Sequence, residues 1–235
     1  MKPGVRAAVS GRQTVLVTSC WALYKTGGYG ARFGIAVNTP GSIKTEILRL
    51  KNAGADIIKT MASGMVSLKH PGSVTPGGFD REELHIIVQE ASGLGLGVMA
   101  HANGEAAVLA AAEAGVRSVE HGFFMTERAL ELMARKGVFW VPTTGALARA
   151  ADAAASPEAR QFVSGLMQQH LGMLGLAHAL GVSLAVGTDC VLPDPIYGNA
   201  YDAELACFRK AGISEEAVLK IASEDGARLL GIDNF

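Results

Sequence analysis

Ala114-Gly115-Val116-Arg117-Ser118-Val119-Glu120-His121-Gly122 holds the pattern that decides the fold. A helical run stops at a glycine suited to a C-cap, a short β-rich run follows, and it ends on an ionisable residue before a second glycine. The same order recurs around Ala53-Gly54-Ala55, Gly93-Leu94-Gly95, Lys136-Gly137-Val138 and Leu180-Gly181-Val182. Each glycine introduces an expected strand: Ala55 to Lys59, Gly97 to His101, Arg117 to His121, Val138 to Pro142 and Ser183 to Thr188. Strands that alternate with helices in this way imply βαβ units around a buried parallel sheet.

One or two further strands are expected between Val5 and Ser19, followed by a loop at Thr26-Gly27-Gly28-Tyr29-Gly30. The count comes to about six of the eight strands that close a barrel. The predicted fold is therefore α/β, a TIM-like (β/α) barrel that is incomplete, with residues 1–235 as a single domain. Hydrophobic residues make up 49% of the chain and charged residues 18%, enough apolar material for a large core. A net charge of -1 with no basic stripe argues against nucleic acid as a partner. No apolar run reaches the roughly 20 residues of a membrane helix, so no membrane partner is expected. Cys20, Cys190 and Cys207 are odd in number and irregular in spacing, as reduced thiols in a cytoplasmic protein would be.

The strands end in Lys59, His101, His121, Thr143 and Asp189. In parallel barrels the strand carboxyl ends share one mouth, so these side chains converge although they are far apart in sequence. Imidazole and carboxylate are donors for zinc, manganese or iron, and a metal with an open position makes water a usable nucleophile near neutral pH. Lysine is not a metal ligand as an ammonium. The apolar neighbours Ile57, Ile58 and Met61 favour its free amine, which reacts with a carbonyl or with carbon dioxide.

Ile58-Lys59-Thr60-Met61-Ala62-Ser63-Gly64, His101-Ala102-Asn103-Gly104, Val119-Glu120-His121-Gly122 and Gly187-Thr188-Asp189 resemble, in order and spacing, the amidohydrolase superfamily. Within it the chain is similar to the imidazolonepropionase-like and prolidase-like (Xaa-Pro dipeptidase-like) branch. That resemblance implies a carboxylated Lys59 ending barrel strand four and bridging two metals. It places His101 and His121 on one metal at strands five and six, and Asp189 on the other at strand eight. Asp189 would also take the proton of the attacking water and pass it to the leaving amine. The implied cofactor is a divalent metal, zinc foremost, and the implied substrate a small amide, dipeptide or cyclic amide.

The chain departs from the family in having no His-x-His among its six histidines, a pair that relatives carry on strand one. The sequence thus reads as beginning after strands one and two, and as stopping before the strands of a small β-sandwich. One metal is then favoured over two, and the open edges of the barrel predict self-association. A catalytically silent fragment and a Schiff-base lyase or aldolase using Lys59 are the alternative readings.

Tyr29 stands where relatives often have a histidine, and Asn103 where they often have a second one; both are substrate-contact candidates. His70 joins them from the loop after Lys59. His85, His170 and His178 read as solvated helical positions, Cys190 as packing, and Glu224 and Asp225 as solvated charges.

Overall fold

The five glycine-marked junctions all take the left-handed backbone that closes a helix: Gly54, Gly95, Gly115, Gly137 and Gly181 have φ between 66° and 89°. A side chain at these positions would clash with the local backbone, which is why glycine marks them. The computed structural model describes residues 15–67, 70, 72–190 and 196–232, together with two short strands, β1 (Ala8–Val9) and β2 (Arg12–Gln13), paired antiparallel.

The main sheet is parallel throughout. Its strands are β3 (Ala22–Tyr24), β4 (Gly34–Ala36), β5 (Ile57–Met61), β6 (Gly97–Ala102), β7 (Ser118–His121) and β8 (Phe139–Val141), arranged β4-β3-β5-β6-β7-β8. Between them lie α1 (Pro40–Asn52), α2 (Arg81–Gly93), α3 (Glu105–Ala114) and α4 (Glu127–Lys136). After β8 the chain forms α5 (Thr144–Asp152) and the long α6 (Pro157–Ala179). It then returns to the sheet and ends in α7 (Ile196–Lys210), α8 (Glu215–Lys220), a π-helix over Ile221–Asp225 and α9 (Gly226–Leu230). From β3 through β8 the walk is sequential, as in a barrel wall, with β4 set outside β3.

The sheet has six strands, but not the expected set. Between Val5 and Ser19 the described strand structure is confined to β1 and β2, and the strands that join the sheet, β3 and β4, flank the glycine-rich loop instead. Ser183 to Thr188 runs beside β8 yet makes a single parallel bridge, Leu184 with Trp140. Trp140 N–H donates to the Ser183 carbonyl at 2.8 Å, and Ala185 N–H to the Trp140 carbonyl at 3.1 Å. Gly187 approaches β8 so closely that a Cβ there would lie 2.5 Å from Val141 Cγ1. This segment follows the barrel path beside β8 with little ladder of its own.

Helices α1 to α4 each lay an apolar stripe on the sheet, which places the main core between the two layers. Ile43, Ile47 and Leu50 of α1, Leu84, Ile87 and Ala91 of α2, and Leu130 and Met133 of α4 are fully buried there. Helix starts are set by reciprocal caps: Thr39 with Ser42 on α1 and Asp80 with Glu83 on α2, contacts worth about 1 kcal/mol each. No helix among the described residues is long and apolar enough to cross a membrane.

Candidate active site

Strand register levels the carboxyl ends: Met61 pairs with His101, and Ala102 with His121. His101 therefore sits near the end of β6 and His121 at the end of β7, with ring centroids 4.6 Å apart. Tyr29, from the loop between β3 and β4, stacks beside His101 at 4.8 Å. Asp189 follows the segment that runs beside β8. Tyr29, His101, Asn103, His121 and Asp189 line one cavity of about 180 Å³. Lys59 lies within β5, two residues short of its end, and its charge acts on His101, His121, Glu120 and Asp189. His70 is exposed in the loop beyond β5 and does not line this cavity; its carbonyl accepts from Ser73 Oγ at 2.7 Å.

Burial sets the protonation states. Desolvation holds His101 down to about 4, against a hydrogen bond to the Gly64 carbonyl that favours its charged form. Desolvation, helped by His101, Lys59 and His170, holds His121 well below the usual imidazole range. Both rings are neutral at pH 7. Lys59 is lowered by desolvation against the pull of Glu120 and Asp189, and Glu120 is raised by the same desolvation against Lys59. Asp189, at the exposed rim, is raised by the protein around its carboxyl, while Lys59 and Arg149 oppose the rise. Tyr29 is raised by burial and by Asp189, so its phenol keeps its proton.

Hydrogen bonds then assign the ring nitrogens. A carbonyl oxygen only accepts, so His101 Nε2, 2.9 Å from Gly64 O, carries the proton and leaves Nδ1 with a lone pair. Asn103 braces this arrangement. Its Oδ1 accepts from Phe123 N–H at 3.1 Å, which directs its amide nitrogen toward Gly64 O. His121 Nδ1 is 2.8 Å from Thr143 Oγ1, and its carbonyl accepts from the Trp140 indole N–H at 2.9 Å. His170 Nε2 donates to the Pro142 carbonyl at 3.0 Å, and its ring packs edge-on against Trp140 and Phe123. The turn from Trp140 to Thr143 thus grips His121 at two points and is itself held by His170.

The backbone is strained at these same positions. His121 (φ 69°), Thr143 (φ 50°) and Asp189 (φ 47°) all occupy the left-handed region, where a β-branched threonine is a real outlier. Such strain costs roughly 1–3 kcal/mol per residue and persists only where surrounding contacts over-determine it.

A model of the amidohydrolase family matches residues 21–235. The chain belongs to the amidohydrolase family. Ochratoxinase from Aspergillus niger is 32% identical over 182 residues, which cover 76% of this chain and 37% of that enzyme. The crystal structure of the A. niger ochratoxinase superposes with a TM-score of 0.78 at 25% identity, covering 91% of this chain and 54% of the other. A Xaa-Pro dipeptidase crystallised with methionine in its active site superposes with a TM-score of 0.76 at 26% identity, covering 90% and 56%. The chain therefore spans between about a third and a little over half the length of these relatives.

Members of this family generally use divalent metals, and the residues here fit one in part. Among the described residues no three His, Cys, Asp or Glu side chains group closely enough to hold a metal ion. What does converge is a pair of neutral imidazoles beside a desolvated lysine amine, a set whose third donor would be an oxygen of a carboxylated Lys59.

Several residues that shape this amidohydrolase site escape a reading of the sequence. Glu120 is buried beside Lys59, its carboxyl 2.6 Å from Ser118 Oγ. His170, expected on a solvated face, is 2% exposed, because α6 folds back over the strand ends and turns that face inward. Glu204 of α7 is fully buried, and its carboxyl accepts from Thr144 N–H at 2.9 Å and Gly145 N–H at 2.6 Å, at the start of α5. Arg149 on the next turns of α5 donates to the Thr188 carbonyl and supports the strained Asp189. His85 and His178 are exposed, as read from the sequence, and Asp225 pairs with Arg228 at 3.1 Å. Cys190 is partly buried, its N–H donating to Thr188 Oγ1 at 3.2 Å.

Proposed function

We propose that the chain supplies the metal-binding and proton-transfer part of a hydrolase of C–N bonds in small amides, dipeptides or cyclic amides. The meeting of His101, His121, Asp189, Tyr29 and Asn103 on one cavity, with both imidazoles neutral, carries this reading. His101 Nδ1, His121 Nε2 and the carbamate of Lys59 would hold one divalent ion, with zinc the best match to two nitrogens and an oxygen. When bound, such an ion lowers the pKa of a water and polarises a carbonyl.

The remaining steps belong to the side chains. The lowered pKa of Lys59 keeps a fraction of its amine free to add carbon dioxide, with loss of one proton. Asp189 takes the proton of the attacking water and returns it to the leaving amine; its raised pKa brings both transfers nearer to balance at neutral pH. Tyr29, kept protonated, donates to the substrate carbonyl, while Asn103 donates to the same Gly64 carbonyl that accepts from His101 and so fixes that acceptor at the edge of the cavity. His70, exposed on the loop, would meet substrate only at the entrance. A Schiff-base lyase would use the same lysine but leaves two neutral histidines without a role.

Three free thiols fit a reducing compartment such as the cytoplasm. The edge strand β4 and the segment at Leu184 leave pairing groups for self-association, which light scattering tests directly.

The functional test is turnover of an amide and dipeptide panel by the zinc-loaded chain, set against the chelated chain and Asp189→Asn. Loss of hydrolysis in both controls is expected. Turnover that survives chelation overturns the metal assignment, and turnover that survives Asp189→Asn overturns the role of the carboxylate.

A further inference from the structure

The cavity has two unlike ends. Tyr29, His101, His121 and Asp189 form the polar end, at the strand termini. The opposite wall comes from the α5–α6 hairpin and from the loop residues facing it: Phe123, Leu147, Ala150, Val163 and Leu166. Phe123, Leu147, Val163 and Leu166 are buried and form an apolar cluster of their own, separate from the main core. A satellite cluster of this kind often just supports a loop. This one faces the open space of the cavity, where an apolar group of a ligand would displace water from its wall.

Size and charge narrow the ligand. An apolar cavity of roughly 150 Å³ accommodates a benzene ring, and this whole cavity, polar end included, measures about 180 Å³, room for one ring with a small amide head and little more. Asp189 is the one charged side chain among its described lining residues. Arg149, the nearest cation on α5, is turned to the Thr188 carbonyl and sits beside Glu204. A carboxylate lodged against the hairpin would meet hydrocarbon and, among the described residues, no counter-charge.

We infer that the α5–α6 wall is a subsite for one uncharged ring: the substrate is an amide bearing an aryl or comparably bulky branched-aliphatic group, with the amide at the strand ends and the ring against Leu147, Ala150 and Leu166. This inference rests on the cavity being the substrate site of the hydrolase proposed above.

The test is equilibrium binding to the metal-free chain, by ligand-detected NMR, of benzamide, acetamide and 4-carboxybenzamide. Benzamide binds at least about tenfold tighter than acetamide, because the ring leaves water, and the added carboxylate removes that gain. Ala150 is exposed, so Ala150→Phe fills the subsite without disturbing the core; it abolishes the preference for benzamide while the melting temperature holds. Equal binding of benzamide and acetamide, undiminished binding of the carboxylate, or an unchanged preference in Ala150→Phe overturns the subsite. Because no metal is present, a failed metal or turnover assay leaves this result standing, and the converse also holds.

Discussion

Glu204→Gln separates the buried carboxyl from its shape. Glu204 is fully buried and accepts two backbone N–H groups at the start of α5, and desolvation raises its pKa from 4.5 to about 7 in spite of those bonds. A pKa raised in the folded state means that the folded chain binds the proton more tightly than the unfolded chain. The resulting stability is fully present below pH 4.5 and is lost as pH rises through 7. The difference between 4.5 and about 7 corresponds to ~3 kcal/mol, most of it already realised at pH 5. The amide that replaces the carboxyl does not titrate, so native stability gains on the variant by that amount between pH 8 and pH 5. Contributions from every other group cancel in the comparison. Urea denaturation of both proteins at one-unit pH intervals gives the difference. A gap that stays constant within about 0.5 kcal/mol across the window would refute a buried, desolvated carboxyl at this position.

His170 titrates with the opposite sign. Its pKa is depressed by burial from 6.5 to about 4, so its contribution is present above pH 6.5 and is lost as pH falls toward 4. Against His170→Gln, the native chain should lose ~3 kcal/mol of relative stability over that range by urea titration. Trp140→Phe removes the donor to the His121 carbonyl and leaves a buried acceptor unpaired. It costs about 1–3 kcal/mol in chemical denaturation and weakens metal retention roughly tenfold by competitive chelation. Gly64→Ala places a Cβ on the Thr75 carbonyl oxygen, in the loop whose Gly64 carbonyl holds His101, and lowers stability by roughly 3 kcal/mol in the same assay.

Legibility in the sequence follows periodicity and local chemistry. Gly115 and Gly137 announce their helix ends because a left-handed backbone is a local requirement, and β6 and β7 fall within a residue of their expected bounds. His101, His121 and Asp189 could be grouped because strand ends in a parallel sheet share one mouth, while Tyr29 and Asn103, which line the same cavity, are pointed to only by the resemblance to the family. What escaped depends on partners distant in sequence. β3 and β4 are three residues each, too short for an alternation to show. Ser183 to Thr188 has strand-forming residues, but it meets β8 at a single bridge, and that departure from the ladder is set by the packing of distant segments. Glu204 carries no local mark of burial and His170 only a faint one: a histidine or a glutamate on a helix usually faces water. The fold of α6 and α7 over the β8 turn is what encloses them. The one available signal for His170 was its place among Val163, Leu166, Leu171 and Leu174, the buried stripe of α6.

Metal content decides whether His101 and His121 form a binding site. Protein purified without chelator and analysed by elemental mass spectrometry should hold about one equivalent of a transition metal. The His101→Ala, His121→Ala double variant, folded by circular dichroism, should hold none. Metal absent from the native chain even after incubation with zinc and bicarbonate, or retained undiminished by the folded double variant, would contradict a site built on these two histidines.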